Sequence, residues 1–118
     1  MNQQLVDEVI RELDAVTGGR WERISTGGGC EALACPAVIR GTVGNVYLTD
    51  GQAGVDFFHP EMAFASLHFA DSDWSSDTEW SDVDLNDVCG PEEFAELVAS
   101  LMVRPDGSAI AQCFVGVI

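Results

Sequence analysis

Four cysteines, two histidines and one long run of carboxylates hold the reactive side chains of this 118-residue chain. Four thiolates complete a tetrahedral zinc site when they arrive as closely spaced pairs. Cys30 and Cys35 stand five positions apart, and an extended segment between them would send their side chains to opposite faces. Cys89 and Cys113 belong to no pair. The thiols are therefore expected to be free, with no stoichiometric metal and no disulfide needed for folding. Nucleophilic catalysis would require a serine or cysteine beside a basic histidine. His59 precedes Pro60 in a turn-rich segment and His68 lies in an apolar one, so both are read as structural. Gly27-Gly28-Gly29 lacks the Lys-Ser/Thr of a phosphate loop and the spacing of a dinucleotide motif, and is expected to be a hairpin connection. No catalytic residue, metal or cofactor is assigned, and the chain is read as non-enzymatic.

The carboxylates are more distinctive. Asp71, Asp73, Asp77, Glu79, Asp82, Asp84 and Asp87 follow one another with no basic residue among them, and Trp74 and Trp80 are embedded in the run. Carboxylates spaced along a surface imitate nucleic-acid phosphates, and two tryptophans would anchor a protein partner; these nine residues form the candidate protein-binding site. The same residues also suit a solvated loop whose tryptophans turn inward to cap the core. Asp71-Ser72-Asp73-Trp74-Ser75-Ser76-Asp77 alternates oxygen ligands as calcium loops do, but Ser76 stands where an EF-hand needs glycine and Asp82 where it needs glutamate. A divalent-cation-binding or hydrolytic domain using Asp71 to Asp87 is the alternative.

Regular elements must position these groups. Leu5, Val6, Val9, Ile10, Leu13 and Val16 recur at helical spacing, predicting an amphipathic helix over 2–17, capped by Asn2 and stopped by Gly18-Gly19. Trp21 to Thr26 and Cys30 to Cys35 read as two short strands. Ala37 to Thr42 is a further candidate, followed by Asn45 to Thr49, which ends at the turn signal Asp50-Gly51. Met62 to Phe69 alternates as a strand. Gly90-Pro91-Glu92-Glu93 starts a helix running to about Val103, with Phe94, Leu97, Val98, Leu101 and Met102 buried and Arg104 complementing its end. A last strand is expected from Ala109 to Val117.

Composition sets the outer bounds. The formal charge is −15, all five basic residues are arginines, and 47% of the chain is hydrophobic, which is enough for a core and unlike a disordered acidic tail. With no basic stripe, direct binding of nucleic acid or anionic membranes is disfavoured, whereas a basic surface on another protein would be attracted. A composition rich in Ala, Val, Gly, Asp and Arg without Lys also fits a GC-rich coding bias and simple solubility. No apolar run spans a bilayer and the start lacks a secretory pattern, so a cytoplasmic location is expected.

Gly27-Gly28-Gly29-Cys30-Glu31-Ala32-Leu33, followed by Gly44-Asn45-Val46-Tyr47-Leu48-Thr49-Asp50-Gly51, resembles small acidic proteins of unknown function from actinobacteria and their phages. In those, a glycine-rich Cys-x-Ala-Leu strand precedes a strand ending in Thr-Asp. The resemblance covers roughly residues 20 to 70, and Phe64-Ala65-Ser66-Leu67-His68-Phe69 departs from the aromatic, glycine-rich strand of that pattern. It implies no catalytic residue. It does imply a phage or accessory-gene setting, where such proteins bind and block a host protein. The sequence as a whole predicts a single α+β domain over 1–118, with an antiparallel sheet of five to six strands and two helices on one face. Its expected function is that of an acidic protein-interaction module of the DNA-mimicking inhibitor type.

Overall fold

The computed structural model describes residues 3–39, 41–50, 54–58, 63–71, 79–86, 88–103 and 105–114. The first helix, α1 (Gln3–Thr17), buries Val6, Val9 and Leu13, flanked by half-buried Leu5 and Ile10. Val16 is 40% exposed, so the apolar stripe stops a turn earlier than its pattern predicts. Gly18 ends the helix at φ 72, a left-handed conformation that a side chain disfavours. Two polar groups then fix the exit: the Asp14 carboxylate accepts from the Trp21 backbone N–H at 2.7 Å, and the Thr17 hydroxyl accepts from the Trp21 indole N–H at 3.0 Å. Asn2, the expected cap, lies outside the described residues.

Six strands follow: β1 (Glu22–Gly27), β2 (Cys30–Ile39), β3 (Thr42–Asp50), β4 (Phe64–Asp71), β5 (Glu79–Asp84) and, after the second helix α2 (Pro91–Leu101), β6 (Ala111–Cys113). The sheet runs β1-β2-β3-β4-β5 with every pair antiparallel, and β6 pairs with β2. The expected α+β architecture is the observed one. Gly28 and Gly29 join β1 to β2 at φ 62 and 83, the two left-handed positions that a tight hairpin needs.

Two expected boundaries are corrected. Cys30–Cys35 and Ala37–Thr42 are not separate strands: β2 runs unbroken through Pro36 to Ile39. Pro36 is tolerated because the outer edge of β2 is shared. β1 pairs up to Ala34 and β6 from Ala37, leaving Pro36 at the junction, where its missing N–H deprives no partner. Its carbonyl on that side accepts from Phe114 N–H at 3.1 Å. On either side of 72–78, which lie outside the described residues, β4 extends to Asp71 and Glu79–Asp84 forms an edge strand where no strand is expected. The last strand is described from Ala111 to Cys113, and 115–118 lie outside the described residues.

Alternation then divides the sheet. Leu33, Cys35, Ala37 and Ile39 of β2, Val46 and Leu48 of β3, Ala65, Leu67 and Phe69 of β4 and Val83 of β5 form a single core with both helices. α2 contributes Phe94, Ala95, Val98 and the following Met102, whereas Leu97 and Leu101 are half-buried. Asp50, only 5% exposed at the end of β3, organises the next segment: its carboxylate accepts from the backbone N–H of Gly54 and of Asp56, both at 2.9 Å. That clamp carries Phe57 and Phe58 onto Phe94, at ring separations of 4.9 and 5.7 Å. Gly51, the other half of the turn signal, lies outside the described residues.

Candidate functional site

The nine residues singled out by type fall into three groups. Asp73, Trp74, Asp77 and Asp87 lie outside the described residues, as do His59 and Arg104. Asp82 and Asp84 are exposed on β5, opposite Ser66 and Phe64. Trp80 occupies the same set of rows, opposite His68, which in turn faces Tyr47. Asp71 and Glu79 take the alternate register, in the rows of Gly44 and of Val46 and Phe69. Strand alternation therefore divides a run that reads as one continuous surface, because successive strand positions belong to opposite faces.

What joins Asp84 is a set of carboxylates that the search for a contiguous acidic run passes over. Glu92, Glu93 and Glu96 are exposed on α2, and Asp84, Glu93 and Glu96 border a groove of about 470 Å³ with Val88 and Leu97. The helix spacing of Glu92, Glu93 and Glu96 was the available signal. The local fold follows from simple requirements. Gly90 has no side chain to cap α2, Pro91 needs no N–H partner in the first turn, and Glu93 reaches back to accept from Cys89 N–H at 3.2 Å. Asp84 accepts from Asn86 N–H at 2.9 Å, turning the chain out of β5 toward the helix. Glu92 and Glu93 also sit where the helix dipole favours negative charge.

The basic side chains are elsewhere. Among the described residues, the ion pair Arg23–Glu31, at 2.5 Å between β1 and β2, raises the arginine and lowers the glutamate from their ordinary pKa values, chiefly through their shared hydrogen bond. Asp82, Asp84, Glu92, Glu93 and Glu96 make no ion pair among the described residues. His68 is half-buried, and burial lowers its pKa, so the neutral imidazole prevails at neutral pH.

Cys30 and Cys35 part as their spacing requires: Cys35 is buried in the core, whereas Cys30 takes the opposite parity of β2 and is half-buried. Cys89 is exposed, and no group of three His, Cys, Asp or Glu side chains is placed to hold a metal ion among the described residues. Among them too, no helix is long and apolar enough to cross a membrane. Comparison with protein-family models, with curated proteins and with solved structures finds no match to this chain.

Proposed function

We propose that this protein is a non-enzymatic, acidic interaction module of the cytoplasm that binds a basic surface on another protein, in the manner of a phage-type DNA-mimicking inhibitor. The observation that carries this reading is the groove between β5 and α2, in which Asp84, Glu93 and Glu96, without ion-pair partners among the described residues, surround the apolar Val88 and Leu97. In a chain of net charge −15, such carboxylates draw a basic partner from a distance and orient it. The apolar floor supplies short-range contact area that charge alone does not. Asp82, also exposed on β5, lies two residues before Asp84 on the strand and shares its parity.

The test has two stages. Partners are captured on the immobilised protein at low salt, and the identified protein is then offered wild-type protein and duplex DNA in competition. Support is a DNA-binding partner that DNA displaces, and whose association with the charge-reversed chain Asp82→Lys, Asp84→Lys, Glu93→Lys and Glu96→Lys is slowed by ~10-fold or more while the fold survives. Binding that ignores both salt and charge reversal would exclude the mimicry.

A further inference from the structure

A second concave site lies at the other end of α2. A groove of about 400 Å³ is bordered by Val16, Thr17, Val103 and Ala109, and at its floor lie Met102 and Cys113. Cys113 Sγ stands 4.0 Å from Met102 Sδ, and the two residues are 8% and 4% exposed. Behind Cys113 lies Cys35, fully buried. The register explains why they meet: Ala37 faces Cys113, so Cys35, two residues earlier on the same face of β2, is its diagonal neighbour. The Cys35 thiol donates to the Pro36 carbonyl at 3.4 Å, and the Cys113 thiol is directed at the Met102 thioether. Gly19 closes over the pair so tightly that a Cβ there would meet Cys35 Sγ and come within 2.7 Å of Cys113 Cβ. Two sulfur atoms thus line an open groove, and the third, that of Cys35, lies beside Cys113 beneath Gly19.

We infer that Cys35, Cys113 and Met102 form a binding site for a soft monovalent metal ion, of which cuprous ion is the biological example. Thiolate and thioether donors together select such an ion, whereas structural zinc requires four ligands and prefers thiolate and imidazole. The spacing suits low coordination, because three sulfurs each ~2.3 Å from a central ion in one plane lie ~4.0 Å apart, which is the Cys113–Met102 separation. The groove supplies an entry path. On binding, two metal–thiolate bonds form, the two thiol protons leave to solvent, and the thioether adds a neutral third donor. No electron is transferred.

The test uses the full chain carrying Cys30→Ser and Cys89→Ser, which removes the two competing thiols outside the site, under anaerobic reducing conditions. Cu(I) is titrated against the chromophoric chelator bicinchoninate. The expected result is withdrawal of one Cu(I) per chain from the chelator, with a higher melting temperature. Cys113→Ser should weaken retention by more than ~100-fold, beyond the loss of an outer-shell partner, and Met102→Leu by ~10-fold. Failure of the doubly substituted chain to take Cu(I), or undiminished retention by Cys113→Ser, overturns the site. Should circular dichroism show Cys113→Ser to be unfolded, Met102→Leu decides, since it conserves volume and apolarity: unchanged affinity overturns the three-sulfur site.

Discussion

The two grooves beside α2 are built from opposite materials. One is rimmed by Asp84, Glu93 and Glu96, which stand near one another in sequence and project from the end of an edge strand and the first turns of the following helix. The other is floored by Met102 and Cys113, with Cys35 drawn in from 78 positions away by the pairing of β6 with β2. The first faces water, and in the proposed reading would draw its partner through long-range charge. The second holds nearly buried sulfurs at the foot of an open groove, and in the proposed reading would select a ligand by the softness of its donors. A local pattern thus makes a surface, whereas a closed ligand set needs the register of distant strands.

The largest effect should come from the wall that both grooves share. Phe94 is fully buried and packs on Phe57 and Phe58, so Phe94→Ala removes the support of α2 and leaves a cavity costing ~3–5 kcal/mol. Urea denaturation should show the midpoint falling with little change in slope. A loss below ~1 kcal/mol would mean that α2 is held mainly elsewhere, and the comparison would lose its common frame.

Next in size is a change confined to the sulfur side. Gly19 has no positive φ to explain it, and its role is space: Gly19→Ala places a methyl against Cys35 and Cys113 and should cost ~1–3 kcal/mol through overpacking. Partner association at the acidic groove should keep its rate. If Gly19→Ala slowed that association as much as charge reversal does, the two grooves would not be independent.

These contrasts also explain what could be read in advance. α1 was legible because Val6, Val9 and Leu13 repeat at helical period, and α2 because Pro91 and two glutamates mark its start. β5 was hidden because Glu79, Asp82 and Asp84 are poor strand formers; an edge strand accepts such charges, and they discourage pairing with another chain. Pro36 suggested a break because nothing in its neighbourhood announces that β1 and β6 will share one edge of β2. The cysteines divide the same way. The separation of Cys30 from Cys35 follows from counting along one strand, but the meeting of Cys35 with Cys113 depends on a three-residue pairing whose partners are remote in sequence. For the acidic site, residue types were legible and faces were not: Asp82 and Asp84 share one, Asp71 and Glu79 take the other register, and α2 supplies the remaining carboxylates.

A smaller effect belongs to His68, which borders neither groove. Burial disfavours the charged imidazole of His68, so its folded pKa lies below the unfolded value. Below about pH 6.5 the unfolded chain binds more protons at this position, and stability should therefore fall as pH drops from about 6.5 through the depressed folded pKa. His68→Gln should flatten that portion of the stability profile while leaving the acidic groove intact. An unaltered slope between pH 7 and 5.5 in the variant would assign the pH dependence to other groups.

The smallest expected change sharpens the electrostatic half of the comparison. Glu96 shares its groove with Asp84 and Glu93 and has no ion-pair partner among the described residues, so Glu96→Gln relieves repulsion without opening a cavity. The gain should be ~0.2–0.5 kcal/mol at low ionic strength, the scale of exposed like-charge pairs on a helix. It should vanish in ~1 M salt, where the screening length is ~3 Å. Salt is the decisive variable, because a gain from helix propensity would survive screening and a gain from relieved repulsion would not. Glu92→Gln provides the internal contrast. Glu92 stands in the first turn, where the helix dipole favours its charge, so neutralising it should offset the relief or reverse its sign. Equal gains from Glu92→Gln and Glu96→Gln would show that net charge alone matters, and that the groove has no local field with which to orient a partner.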